Sequence, residues 1–170
     1  KSNITVTVSS TLPIVIDAGL DFSDRVFHVL SDGVLTMDRV TVRGGNAKVS
    51  GGGIFVDGGE LYLTNSTLYD NHAGTSGGAI YNSGTAVLNY VTVKENSVGD
   101  ETSLDLAGVV NGASSTSFKL TNSYLDNNNC SGIDPADASH IIARFAAGCQ
   151  GDDDPGIADL IPVPDTGEPA

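Results

Sequence analysis

Apolar and polar residues alternate in short runs along most of the chain. Residues 4–8, Ile-Thr-Val-Thr-Val, alternate strictly, and residues 61–63, Leu-Tyr-Leu, do the same. Runs of this length, bounded by Gly, Asn, Asp and Ser, are typical of short β-strands separated by turns. Before Asp134 no segment keeps an apolar period of 3.6 residues over ten or more positions. The pattern therefore predicts an all-β fold.

One strand motif recurs along the chain at nearly constant spacing. Four segments align, and their first residues are Met37, Leu63, Leu88 and Leu120. The offsets are 26, 25 and 32 residues, and the longest contains an irregular insertion within residues 97–117. A glycine-rich element repeats in phase, since residues 51–56 match residues 77–82 at an offset of 26. Strands this short can pair only with the equivalent strand of the next repeat, which predicts a parallel β-helix of about five or six coils of ~25 residues.

Stacked coils place equivalent residues above one another in columns. The inward columns are predicted to be Met37–Leu63–Leu88–Leu120, Val42–Leu68–Val93–Leu125 and Ile54–Ile80–Val109. An outward column contains Thr41, Thr67, Thr92 and Tyr124. Asn71, Asn96 and Asn128 form a polar column, which predicts an amide ladder at a corner, with Gly45 in that position one coil earlier.

The chain divides into a β-helix over residues 1–150 and an acidic, Pro-rich extended tail over residues 151–170. Residues 129–150 break the repeat and are predicted to form a C-terminal cap, with a short helix over residues 136–147. Cys130 and Cys149 flank that helix. In an oxidising compartment they form one disulfide, and the alternative is two unpaired thiols.

The repeated unit of residues 51–71, Gly-Gly-Gly-Ile followed by Leu-x-Leu-Thr-Asn-Ser-Thr and Asn, resembles a known group of proteins. It is similar to secreted bacterial right-handed β-helix surface proteins of the polymorphic outer-membrane and adhesin-like kind. The resemblance covers roughly residues 25–130, and it implies a right-handed parallel β-helix at an extracellular or cell-surface location. It says little about function, because the same fold carries lyases, hydrolases, phage tailspikes and adhesins.

Charge and composition exclude two kinds of partner. The chain has 8 Lys and Arg against 21 Asp and Glu, a net charge of −13, which argues against nucleic-acid binding. No apolar run approaches the ~20 residues of a membrane-spanning helix. Eight of the 21 acidic residues lie at or beyond Asp134, so much of the charge belongs to the predicted cap and tail.

Few residues are candidates for chemistry. Asp70, Glu95 and Asp126 fall near one another in the repeat register and are weak candidates for a calcium site, the alternative being a solvated corner. His28, His72 and His140 share no repeat position, so no metal site or other cofactor is predicted from them. Neither paired carboxylates nor a nucleophile motif stands in phase, and no catalytic residue is assigned. Glycosylation sequons occur at Asn3, Asn65 and Asn129.

These features predict a non-enzymatic structural or adhesive surface protein that associates head to tail with itself into a fibre. The expected subunit contacts are Ile4, Val6 and Val8 of the first strand and Leu160, Ile161 and Val163 of the tail. The alternative is a carbohydrate-binding or polysaccharide-degrading module acting on cell-surface glycans. Tyr62 and Tyr90 are the nearest aromatic candidates for that function, although they are not equivalent in the repeat.

Overall fold

A computed structural model describes residues 2–7, 12, 14–19, 23–99, 108–126 and 130–144. Several residues with predicted roles therefore lie outside the described part: Val8, Asn128, Asn129, Cys149, Leu160, Ile161 and Val163. The same holds for residues 145–150 of the predicted cap and for the whole of the predicted tail, residues 151–170.

The strands follow one another in coils. The first coil contains β1 (Ser2–Thr7), β2 (Ile14–Asp17) and β3 (Phe27–Leu30). The second contains β4 (Gly33–Asp38), β5 (Val40–Arg43), β6 (Asn46–Ala47) and β7 (Ile54–Asp57). The third contains β8 (Glu60–Thr64), β9 (Thr67–Tyr69), β10 (His72–Ala73) and β11 (Ile80–Asn82). The fourth contains β12 (Thr85–Asn89), β13 (Thr92–Lys94), β14 (Ser97–Val98) and β15 (Val109–Asn111).

Later strands continue the same path. The fifth coil contains β16 (Ser117–Thr121), β17 (Tyr124–Asp126) and β18 (Cys130–Ser131). A single 3₁₀ turn, Pro135–Asp137, leads into β19 (Ala138–Ser139) and β20 (Ile142–Arg144) of a sixth coil. In the described part of the chain, no helix is long and apolar enough to cross a membrane.

Strands of successive coils pair in parallel and form four sheets. Sheet A has the order β1-β4-β8-β12-β16-β19, sheet B β2-β5-β9-β13-β17-β20, sheet C β18-β15-β11-β7-β3 and sheet D β14-β10-β6. The fold is an all-β parallel solenoid, which confirms the predicted fold class. Among the described residues, three coils carry all four strands, whereas the sequence predicts about five or six coils in total. The coils on either side contribute strands to two or three sheets.

The predicted inward columns are confirmed by the strand register. Met37, Leu63, Leu88 and Leu120 are successive partners in sheet A. The columns that start at Val42 and Ile54 pair as predicted in sheets B and C. All of these side chains are buried in one continuous core, because every second residue of each strand points to the solenoid axis.

A fourth inward column alternates valine with serine. Val40, Ser66, Val91 and Ser123 are stacked, and all four are buried. The Ser66 hydroxyl accepts a hydrogen bond from the Val40 amide (3.2 Å) and donates to the Thr64 carbonyl (2.6 Å). Ser123 makes the equivalent bonds to Val91 and Thr121. These hydroxyls satisfy amides that would otherwise be unpaired inside the core.

The corners between sheets A and B have left-handed backbone at residues other than glycine. Arg39, Asn65, Tyr90, Asn122 and His140 follow one another at this corner with φ between 49° and 57°. The corner after sheet B has the same conformation at Gly44, Asp70 and Glu95. The sequence predicts glycine at corners, but most of these positions carry side chains, because the hydrogen-bonded coils on both sides impose the turn.

The helix predicted over residues 136–147 is wrong for the residues that are described. The 3₁₀ turn ends at Asp137, and the chain then forms β19 and β20, which pair with β16 and β17. Ala138 is buried beside Leu120, as an inward residue of a further coil would be. The edge strands of sheets A and B therefore offer backbone hydrogen bonds to an extended chain, and these bonds outweigh the local helix propensity.

Candidate interaction surfaces

Two columns of register positions run along sheet B from the first coil to the last. The threonine column is Val15, Thr41, Thr67, Thr92, Tyr124 and Ile142. The charged column is Asp17, Arg43, Tyr69, Lys94, Asp126 and Arg144. The threonine column is thus polar in the middle and apolar at both ends, and the charged column begins with an acid and ends with a base.

Neighbours along the charged column contact one another. The Arg43 guanidinium lies 2.6 Å from the Asp17 carboxylate, and this hydrogen bond is the main reason that the pKa of Asp17 lies below its ordinary value. The Lys94 ammonium lies 4.8 Å from the centre of the Tyr69 ring, a cation–π distance. A hydrogen bond from Tyr69 to the Glu95 carboxylate raises the pKa of the Tyr69 phenol, since ionisation would bring two negative charges together.

The Glu95→Gln substitution tests this contact. It removes the negative charge but keeps a hydrogen-bond acceptor, so we expect the pKa of Tyr69 to fall towards the ordinary value of tyrosine. Ultraviolet titration of phenolate absorbance measures the change, and Tyr69→Phe identifies which of the five tyrosines is responsible. An unchanged titration curve in Glu95→Gln would contradict the assigned contact.

The three calcium candidates do not form one column. Asp70 and Glu95 occupy equivalent corner positions in adjacent coils, whereas Asp126 is in register with Lys94 and therefore stands one position earlier. Glu95 also contacts Tyr69 and lies 4.0 Å from the Lys94 ammonium. Within the described ranges, no three His, Cys, Asp or Glu side chains are grouped closely enough to hold a metal ion.

The first step of the predicted asparagine ladder is present and lies inside the solenoid. Asn71 and Asn96 are both buried, and the Asn71 amide nitrogen donates to the Asn96 side-chain oxygen at 3.0 Å. The Asn71 side-chain oxygen accepts from the Gly45 amide at 3.1 Å, so Gly45 stacks on Asn71 as predicted. Asn71 also donates to the carbonyls of Val42 and Tyr69. Each amide therefore joins two neighbouring coils.

Sequence reasoning missed a second asparagine pair. The buried Asn82 donates to the Asn111 side-chain oxygen at 2.8 Å and also to carbonyls of Gly84 and Ser117. The signal was available, because Asn82 and Asn111 end matching glycine-rich elements of the repeat.

Aromatic side chains form a column on the outer face of sheet C. His28 stacks on Phe55 with ring centres 5.0 Å apart, and Tyr81 contacts Phe55 edge-on at 5.5 Å. The Arg25 guanidinium lies 4.9 Å from the centre of the Phe55 ring. The rings thus contact one another across coils and stabilise the stacking.

The two tyrosines predicted as glycan contacts lie elsewhere and apart. Tyr62 is on the outer face of sheet A, and its hydroxyl donates to Glu60 at 3.1 Å. Tyr90 stands at the corner after sheet A and lines a shallow groove of about 390 Å³ together with Tyr124 and His140.

The three histidines are also separated. His28 is 3.2 Å from the Asp57 carboxylate, His72 is 2.9 Å from the Ser97 hydroxyl, and His140 occupies the corner after sheet A.

The first coil leaves one core position and two outward-facing apolar residues open to solvent at the N-terminal end of the solenoid. Ile14 occupies the inward column of Val40 but is 43% exposed, whereas Val40 is buried. Val15 and Leu30 are 51% and 59% exposed. A groove of about 300 Å³ beside Leu30 is lined mainly by apolar side chains, including Phe27 and Leu35. This end therefore presents an apolar surface beside the terminal strands of sheets B and C.

The predicted contact residues Ile4 and Val6 belong to β1, the terminal strand of sheet A, in register with Leu35 and Met37. Both residues thus stand at the N-terminal ends of the Leu35 and Met37 register columns. Cys130, one partner of the predicted disulfide, lies in β18 in register with Val109. The bridge to Cys149 stays a prediction.

No protein-family model matches the chain, and neither a curated protein nor a solved structure matches it.

Proposed function

We propose that this protein is a non-enzymatic structural or adhesive protein of the extracellular surface that associates with itself head to tail. The exposure of inward-facing Ile14 at the N-terminal end is the observation that carries the proposal. An apolar core position left open beside terminal β-strands is the kind of surface that another copy covers by continuing the stack. Repetition of such a heterologous contact produces a filament.

The state of the acidic side chains favours a structural role over catalysis. Asp17 is paired with Arg43, Asp57 with His28, and Asp38 with Arg39. Carboxylates engaged in this way are poor candidates for the two facing acids of a glycosidase. The resemblance to secreted bacterial β-helix surface proteins favours the extracellular location.

A carbohydrate-binding role has weaker support. A sugar-binding platform needs ring faces that are open to the ligand. On sheet C the face of Phe55 is covered by His28 and Arg25. Tyr62 and Tyr90 are in different coils and on different faces.

Sedimentation velocity over a range of concentrations, with electron micrographs of the same samples, tests the proposal. We expect species larger than the 17.4 kDa monomer to increase with concentration and to appear as thin filaments. Added salt should promote assembly, because it screens repulsion between copies that each carry a charge of −13. A monomer at every concentration and ionic strength would contradict the proposal.

A further inference from the structure

We propose that the copies join with a fixed polarity and register, so that sheets A and B run unbroken across the junction. In this arrangement β20 of one copy pairs in parallel with β2 of the next, and β19 pairs with β1. All four are terminal strands of their sheets in the described part of the chain. This inference rests on the proposed self-association and specifies its contact surface.

The charged column on sheet B supports this register. Asp17 stands at its N-terminal end and Arg144 at its C-terminal end. Continuing the column by one step brings Arg144 of one copy beside Asp17 of the next. The new contact repeats the pairing of Asp17 with Arg43 inside the chain, where the two residues also occupy adjacent coils.

The threonine column gives the same register independently. Its middle positions are polar, but its ends are Val15 and Ile142. Val15 is half exposed in the isolated chain. The step that joins Arg144 to Asp17 also joins Ile142 to Val15, and an apolar contact then covers an exposed apolar residue.

Sheet A is compatible with the same step. Val6 and Ala138 are the first and last register positions of the column that contains Met37, and Thr7 and Ser139 are those of the column that contains Asp38. The junction thus continues each column with a residue of the same chemical class. Continuing sheets A and B across the junction in this way buries no unpaired charge.

The register also selects the polarity of the contact. The charged column begins at Asp17 and ends at Arg144, so two copies that met through the same end would bring two acids or two bases together. A contact between unlike ends does not close on itself and extends into a filament.

Reversing the two charges at the junction tests the inference. Arg144→Asp sets two acids against each other, and Asp17→Arg sets two bases against each other. We expect either variant alone to need about a tenfold higher concentration, or more, to assemble. An equimolar mixture should assemble like the parent chain, because every junction of an alternating filament then pairs opposite charges. Sedimentation velocity and electron micrographs measure both results.

Two further variants separate the junction from effects on folding. Lys119→Asp makes the same charge change as Arg144→Asp in β16 of sheet A, one strand in from the terminal strand β19 and outside the proposed junction, and should assemble normally. Asp17→Arg also removes the ion pair with Arg43, so Asp17→Asn is included, with an expected loss smaller than that of the reversal. Circular dichroism establishes that each variant is folded.

The outcomes distinguish this inference from the proposed function. If the parent chain assembles and both reversed variants assemble equally well, the junction is wrong and self-association stands. If folded variants each fail and their mixture also fails, the two charges do not face each other and the junction is again wrong. If the parent chain remains monomeric, the proposed function fails and the junction fails with it.

Discussion

Gly52→Ala is expected to destabilise the solenoid by about 4 kcal/mol or more, enough to leave much of the chain unfolded. A Cβ at this position would overlap the backbone carbonyl of His72 in the next coil. Gly52 cannot move away to make room, because its amide donates to the Gly77 carbonyl of the next coil at 3.1 Å and its carbonyl accepts from Val26 of the preceding coil. The cost is therefore one of space between stacked backbones.

Gly19→Ala is the matched control for this prediction. Gly19 has a φ of +84° but no atom within 4 Å of an added Cβ, so its substitution costs only the left-handed conformation, about 1 kcal/mol. Urea unfolding followed by circular dichroism gives both free energies. Equal losses in the two variants would show that close approach of the coils at Gly52 does not limit stability.

Asn71→Leu is expected to lower the free energy of unfolding by about 3 kcal/mol. Leucine has the same branching and number of side-chain heavy atoms, but the buried Gly45 amide loses its acceptor, and the carbonyls of Val42 and Tyr69 lose a donor. The Asn96 side-chain oxygen also loses one of its two donors. Each unsatisfied buried group keeps its cost of desolvation without a compensating bond.

Asn46→Leu is the control, because Asn46 is exposed in sheet D and its substitution should change the stability by less than about 0.5 kcal/mol. Hydrogen exchange provides a second measurement, since the Gly45 amide should exchange faster in Asn71→Leu. If both asparagine variants unfold at the same urea concentration, the ladder contributes no stability.

The repeat allowed the sequence to predict the columns but not the corners. A period of about 25 residues combined with in–out alternation determines which residues stack, so Met37, Leu63, Leu88 and Leu120 could be aligned without coordinates. The left-handed corners at Arg39 and Tyr90 could not be predicted, because no residue type there indicates positive φ. Their conformation comes from hydrogen bonds to neighbouring coils.

The same limit applies to the C-terminal strands and to the interaction surface. Residues 138–139 and 142–144 are strands because the edges of sheets A and B offer hydrogen-bond partners, which local propensity cannot reveal. The opposition of Asp17 and Arg144 at the two ends of one column also depends on the register of every intervening strand. Neither residue stands out in the sequence.

The alternation of valine and serine in the core has a consequence for how such a chain can lengthen. The Ser66 hydroxyl accepts a hydrogen bond from the Val40 amide, and the Ser123 hydroxyl accepts one from the Val91 amide. The hydrogen-bonded unit is therefore a pair of coils, although the sequence repeat is a single coil. Excision of the third coil alone would bring Val91 beside Val40 and leave the buried Val40 amide without an acceptor. Each coil with valine in this column therefore needs a coil with serine directly after it. This order, rather than the number of coils, constrains growth of the solenoid by recombination.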